Sequence, residues 1–171
     1  KGLSLLFWIV SIAQCFGQGN MNKPPVIDMH VHVYSPASFG TSSDFNSDGV
    51  LMKGSKNCED HLKEITAEFD KYNVVLAYAS GDFEILDLLY KNNPGKFFLS
   101  AEIWPTRELL SDQEYISELR KRLKNKEILG IGEVLNFYTG ISPDDPVMDT
   151  IYKIAQEFDV PVSMHFGSVG V

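Results

Sequence analysis

The residues best able to do chemistry in this chain are few, and three of them are histidines. His30 and His32 sit in the run Val26–Val33 (VIDMHVHV). Side chains alternate along a strand, so strict alternation puts Asp28, His30 and His32 on one face and Met29, Val31 and Val33 on the other. Two imidazoles at i and i+2 converge beyond the strand end, which suits two ligands of one divalent metal. An isolated His-x-His also serves as packing at a barrel mouth. Here the flanking strand is otherwise apolar, which favours the metal reading.

Glu133 closes a second apolar run, Ile128–Leu135 (ILGIGEVL). On alternation it shares a face with Leu129 and Ile131 and points inward. Gly130 and Gly132 fall on the opposite face, where a helix can pack closely. A carboxylate at the end of a buried strand needs a cation or a proton partner, either a metal or the salt bridge of a Lys or Arg. His165 closes a third run, Val160–His165 (VPVSMH), on the face of Pro161 and Ser163. Alone it reads equally as a core histidine; beside His30, His32 and Glu133 at matching strand ends it reads as a ligand. Glu102, near the end of Phe97–Trp104 (FFLSAEIW), shares its face with Phe98, Ser100 and Trp104. It is expected to contact a substrate at the site mouth or to sit solvated at the rim. Tyr34 is the second expected substrate contact.

These residues need strands to carry them and helices to return the chain. Strands are expected at Val26–Val33, Val74–Ala79, Phe97–Trp104, Ile128–Leu135 and Val160–His165. Between them lie four segments of helical period. Glu59–Tyr72 repeats Leu62, Ile65, Phe69 and Tyr72. A helix capped by Asp82 runs to Asn92, before the stop Asn93-Pro94-Gly95. Ser111-Asp112-Gln113-Glu114 is a capping box for a helix to Asn125. Asp145-Pro146 starts a helix through Val147, Ile151, Ile154 and Phe158. Arg120, Lys121, Arg122 and Lys124 crowd the end of the third helix, where a solvated helix end complementing the dipole is expected rather than a nucleic-acid patch. Alternating strands and helices imply a parallel sheet. No Gly-x-Gly-x-x-Gly turn follows the first strand, which weakens a dinucleotide-binding sheet. The polar residues at strand ends favour a partial (β/α)8 barrel with its first five strands and four helices.

With 171 residues the chain is about one domain. Hydrophobic residues are 44% and charged residues 22%, which excludes disorder and a multi-span membrane protein. Two cysteines exclude a disulfide scaffold. The net charge of −8 disfavours general binding to phosphate backbones. Residues 1–17 hold a basic start, the apolar run Leu3–Ala13 and small residues, the pattern of a secretory leader rather than a membrane span. Residues 18–25 then form a linker, and 26–171 the N-terminal part of a barrel domain. The protein is expected in the periplasm or outside the cell, in preference to a lipid anchor on Cys15. The connection Tyr34–Asn57 is long enough for a lid. Its Asp44–Gly49 stretch matches the opening of a calcium loop, but Ser55 stands where Glu is needed, so a flexible turn is expected.

Asp28–His32 (DMHVH), Gly130–Val134 (GIGEV) and Met164–Gly167 (MHFG) together resemble the amidohydrolase superfamily, in its amidohydrolase-related branch of metal-dependent hydrolases. The resemblance covers residues 25–168. It implies a TIM-type barrel and one or two divalent ions, zinc foremost. It implies His30, His32 and His165 as ligands and Glu133 as a ligand or bridge. It further implies hydrolysis of a small-molecule substrate at a carbonyl or phosphoryl centre. A decarboxylase of the same scaffold and a TatD-like nuclease are the alternatives within it; a non-catalytic binding module is the alternative outside it. The sixth-strand His and eighth-strand Asp of that superfamily have no counterpart in this sequence. The reading is therefore of the N-terminal part of a longer protein, expected to be weakly stable and inactive by itself.

Overall fold

The structure is a computed structural model that describes residues 23–33, 55–92 and 95–165. The leader and most of the linker, Cys15, Tyr34 and the Asp44–Gly49 turn lie outside the described residues.

Five strands are present: β1 (Val26–His32), β2 (Val74–Gly81), β3 (Phe97–Ile103), β4 (Gly130–Val134) and β5 (Val162–Met164). They form one sheet in sequence order, and every neighbouring pair is parallel. The crossover helices are α1 (Cys58–Tyr72), α2 (Phe83–Asn92), α4 (Gln113–Lys124) and α6 (Asp149–Phe158). Two short helices were not expected, α3 (Arg107–Ser111) and α5 (Asn136–Thr139). Neither is long enough to show a helical period.

The helix starts follow local chemistry. Asn57 caps α1 by accepting from Asp60 N at 2.8 Å. The α4 cap is Asp112, which accepts from Glu114 N at 2.9 Å, rather than the expected Ser111, which is the last residue of α3. Asp145 accepts from Val147 N at 2.9 Å, but the turn it opens, Pro146–Met148, is a 3-10 turn leading into α6.

The sheet is curled into a partial TIM-like barrel. Strands stand about 4.8 Å apart, so β1 and β4 would be about 14 Å apart in a flat sheet. Yet His32 on β1 lies 3.0 Å from Glu133 on β4. Ser163 on β5 likewise donates to the Tyr78 hydroxyl on β2 at 3.5 Å. Only a sheet that turns its inner faces toward one another allows both.

The main core lies between the outer face and the helices. Val33, Ala77, Ala79, Leu99, Ala101, Ile103, Ile131 and Val134 from the strands meet Ile85, Leu86, Leu119, Ile151 and Ile154, among others, from the helices. Arg122 corrects the expected solvated helix end. It is 8% exposed, binds Asp87 at 2.6 Å and Glu118 at 2.9 Å, and lies over the Phe83 ring at 4.6 Å. Arg120 pairs with Glu157, so the basic cluster is largely neutralised. Among the described residues no helix is long and apolar enough to cross a membrane.

The inner face is layered. A cavity of about 370 Å3 lies against Ile27, Met29, Leu76, Tyr78, Phe98 and Val162. Next to it comes a hydroxyl layer, in which Tyr78 and Ser100 share a hydrogen bond of 2.5 Å. The charged side chains stand at the C-terminal strand ends. Within the described sheet β1 and β5 are the outer strands.

Candidate metal centre

A bulge sets up β1. Asp28 pairs with Ala77 and Val31 with Ala79, so three steps on β1 match two on β2. Ala77 and Ala79 face the helices, and Val31 and Val33 pack there too. Met29 and His30 therefore both fall on the inner side, and Met29 lines the cavity with Ile27. Strict alternation grouped Asp28 with the histidines and Met29 with the valines; the bulge exchanges the two. The Asp28 carboxylate instead accepts from the His30 backbone N–H at 3.0 Å.

Glu133 points inward as expected, but not for the expected reason. Ala101 pairs with Ile131 and Ile103 with Val134, which leaves one extra residue on β4. Ile131 and Val134 are both fully buried on the helix side. Gly130 is on the inner face, not the helix face: a Cβ there would stand 2.7 Å from the Tyr78 hydroxyl. Gly132 is the extra residue, with φ +128°. A Cβ on it would lie 2.4 Å from the main-chain oxygen of Ser163, so glycine is required both by the backbone and by the space. The Gly132–Glu133 peptide is cis.

The result is a carboxylate ringed by imidazoles. Glu133 is 5% exposed. Its Oε2 lies 3.0 Å from His32 Nε2 and 3.8 Å from His30 Nε2. Its Oε1 lies 2.9 Å from His165 Nδ1. The His30 and His32 rings meet edge to face at 4.8 Å. Among the described residues Glu133 has no Lys or Arg partner, so the expected alternative of a buried salt bridge is not what is found. Its Oε2 accepts no hydrogen bond among them either. An unsatisfied buried carboxylate oxygen is costly unless a cation completes it.

The donor set fits a divalent ion. One atom from each of His30, His32 and Glu133 lies within 4.8 Å of the others. Donors bonded at about 2.1 Å in a tetrahedron stand about 3.4 Å apart. The contacts of 3.0 and 3.8 Å bracket that edge. His165 stands outside this trio, on the other oxygen of the carboxylate.

Glu102 is partly buried and is held by two neighbouring side chains. Its Oε2 lies 3.4 Å from His32 Nδ1, and its Oε1 accepts from Trp104 Nε1 at 3.0 Å. A carboxylate on the far nitrogen of a ligating imidazole fixes which nitrogen faces the metal. Sequence reasoning missed Phe137 and Tyr138, which α5 places beside His165 with ring centroids 5.8 and 4.9 Å from it. The available signal was an aromatic pair directly after the strand that carries Glu133.

No family model matches the chain, and no curated protein matches it in sequence. Among solved structures it is similar to a probable 2-pyrone-4,6-dicarboxylic acid hydrolase from Acinetobacter baumannii, crystallised with citric acid bound. The identity is 16% and the TM-score 0.48, over 82% of this chain and 49% of the other. The chain thus spans about half the length of that protein. The fold assignment rests on strand order and on the meeting of side chains across the sheet, not on this likeness.

Proposed function

We propose that the chain carries the metal-binding part of a metal-dependent hydrolase of the amidohydrolase type, with His30, His32 and Glu133 as ligands of a divalent cation, zinc foremost. One observation carries the reading. Glu133 is buried, no Lys or Arg among the described residues neutralises it, and one of its oxygens is left unsatisfied between two imidazole nitrogens. When bound, a divalent ion would supply Lewis acidity for polarising a carbonyl or phosphoryl oxygen and would lower the pKa of water toward neutrality.

The chain's own residues prepare that chemistry. His165 bonds Glu133 Oε1 and turns Oε2 toward the histidine pair. Glu102 faces His32 Nδ1 and leaves Nε2 for the ion. The apolar cavity of Ile27, Met29 and Phe98 lies beyond the Tyr78–Ser100 hydroxyl layer from these groups. Export remains part of this proposal, with residues 1–17 as the leader, and N-terminal sequencing of the mature protein from its host tests it.

Equilibrium dialysis against zinc and manganese, followed by elemental analysis, tests the metal site. About one equivalent is expected, falling below about a tenth in Glu133→Gln and His32→Asn. A wild-type protein that takes up less than a tenth of an equivalent refutes the proposal. Turnover of esters, lactones, amides and phosphoesters, run beside carboxylated aromatics, then separates hydrolysis from decarboxylation.

A further inference from the structure

One tyrosine inside the sheet touches three strands besides its own. Tyr78 extends from the inner face of β2, and its ring stacks on Phe98 of β3 with centroids 5.2 Å apart. Its hydroxyl shares the 2.5 Å hydrogen bond with Ser100 of β3 and accepts from Ser163 of β5 at 3.5 Å. Ser163 donates to Tyr78, so the Tyr78 proton goes on to Ser100. On β4, Gly130 leaves the room: a Cβ there would stand 2.7 Å from the phenol oxygen and 3.2 Å from Ser100 Oγ.

Four strands thus converge on one oxygen, through one large residue, two small ones and one with no side chain. Core filling alone does not ask for this set. Tyr78 is 7% exposed and Ser100 is fully buried, and a phenylalanine with alanines would fill the same layer with no buried hydroxyls to satisfy. The hydroxyls add bonds between strands, and one of those bonds joins strands that are not neighbours, β2 and β5.

The layer lies directly beneath the polar groups of the site. Ser100 stands two residues before Glu102, and Ser163 two before His165, on the same face in each case. Gly130 is the inward residue that precedes Glu133, once the extra Gly132 is passed. A strand that shifts at the hydroxyl layer therefore carries its polar group with it. Ladder bonds hold neighbouring strands about 4.8 Å apart, but they do not set how far β1 stands from β4. Because β1 is laddered to β2, drawing β2 toward β5 draws His32 and His30 to 3.0 and 3.8 Å from Glu133 Oε2.

We infer that Tyr78 is a positioning residue of the metal centre: its hydroxyl ties β2 to β3 and β5 and so sets the gap between the histidine pair and Glu133. This rests on the metal-site reading above.

Tyr78→Phe removes the hydroxyl and keeps the ring. Its zinc affinity, by competition with a chromophoric chelator, should fall about 10- to 100-fold, and the visible spectrum of the cobalt(II)-loaded chain should change. Gly130→Ala keeps every hydroxyl but displaces the phenol, and should act in the same direction. Ile154→Val, fully buried on the helix side, is the control for lost stability alone and should bind zinc as wild type does. Wild-type zinc affinity or an unchanged cobalt spectrum in Tyr78→Phe, or an equal loss in Ile154→Val, overturns the inference and leaves the metal site standing. A wild-type chain that takes up no zinc refutes the metal site instead. The brace is then read without metal, from nitroxides at Lys63→Cys on α1 and Lys153→Cys on α6, which pack on β2 and β4, in a Cys15→Ser, Cys58→Ser background. Double electron–electron resonance should show the pair farther apart or more broadly spread in Tyr78→Phe. The same distribution with and without the hydroxyl overturns the brace.

Discussion

Replacing Gly132 by alanine should be the most damaging single-methyl change in the described structure. The new Cβ would lie 2.4 Å from both the main-chain oxygen and the Oγ of Ser163, about 1 Å inside normal contact. The Ser163 hydroxyl can rotate away, but its carbonyl cannot. On either side of it β5 is held to β4, by Ile131 N to Pro161 O at 3.0 Å and His165 N to Val134 O at 2.8 Å. Relief therefore requires the strands to part. Overpacking of this kind costs about 1–3 kcal/mol, and a side chain held at φ +128° costs about 1–3 kcal/mol more. The sum, about 2–6 kcal/mol, is a large share of the 5–15 kcal/mol that holds a typical domain together. Gly140 is the internal control: its φ is +68°, and a Cβ there meets nothing within 4 Å. Gly140→Ala should cost only the backbone part, about 1–2 kcal/mol. Urea unfolding followed by circular dichroism compares the two, and zinc dialysis should show Gly132→Ala alone weakening the metal site. If the two variants unfold within about 0.5 kcal/mol of each other, the close-approach argument is wrong.

Glu102→Ala should weaken zinc binding about 10- to 100-fold, with Glu102→Gln falling between it and wild type, because the amide can still accept a hydrogen bond from His32; competition with a chromophoric chelator measures this. Arg122→Ala should destabilise the chain by about 2 kcal/mol in urea, and Arg122→Lys by somewhat less, since lysine loses the fork that binds Asp87. Burial holds the His61 pKa below its ordinary 6.5. The unfolded chain then takes up a proton that the folded chain refuses, so His61 makes stability fall as pH drops below about 6.5, and His61→Gln should flatten that part of a urea-midpoint profile. Asp87, held low mainly by its hydrogen bond to Arg122, acts at lower pH. Its contribution is full above the ordinary carboxylate range and is lost as pH falls through the depressed value, a step that Asp87→Asn should remove from an acid titration.

Periodicity made the five strands and four long helices legible, because each buries one face of a regular element. Leu62, Ile65 and Phe69 place α1, and Ile151, Ile154 and Phe158 place α6. The short helices α3 and α5 carry too few residues to repeat anything. The site residues were legible as chemistry, since a buried strand rarely ends on Glu or His without cause. Their surroundings were not, because alternation assumes an unbroken register. It set Asp28 beside the histidines, Ile131 beside Glu133 and Gly130 against a helix, and the structure reverses all three. Nothing in the local composition distinguishes a glycine that lets a helix approach from one that lets a tyrosine hydroxyl approach. Glu102 was legible as a strand-end acid, but its pairing with His32 depends on how far the sheet curls, which no single strand encodes.

The two bulges bear on how this sequence can change. If Met29 and Gly132 are struck out, β1 and β4 both read as strict alternation, with His30, His32 and Glu133 still inward. Each extra residue therefore leaves the facing of the donors alone and sets how far along its strand they stand, by up to the rise of one residue, about 3.3 Å. Each insertion stands directly before a donor, Met29 before His30 and Gly132 before Glu133. Losing one would offset the imidazoles from the carboxylate by about the edge of a coordination tetrahedron; losing both would bring them level again. The two positions should therefore be coupled genetically. Deletion of either alone should abolish metal uptake, and the second deletion should act as its suppressor.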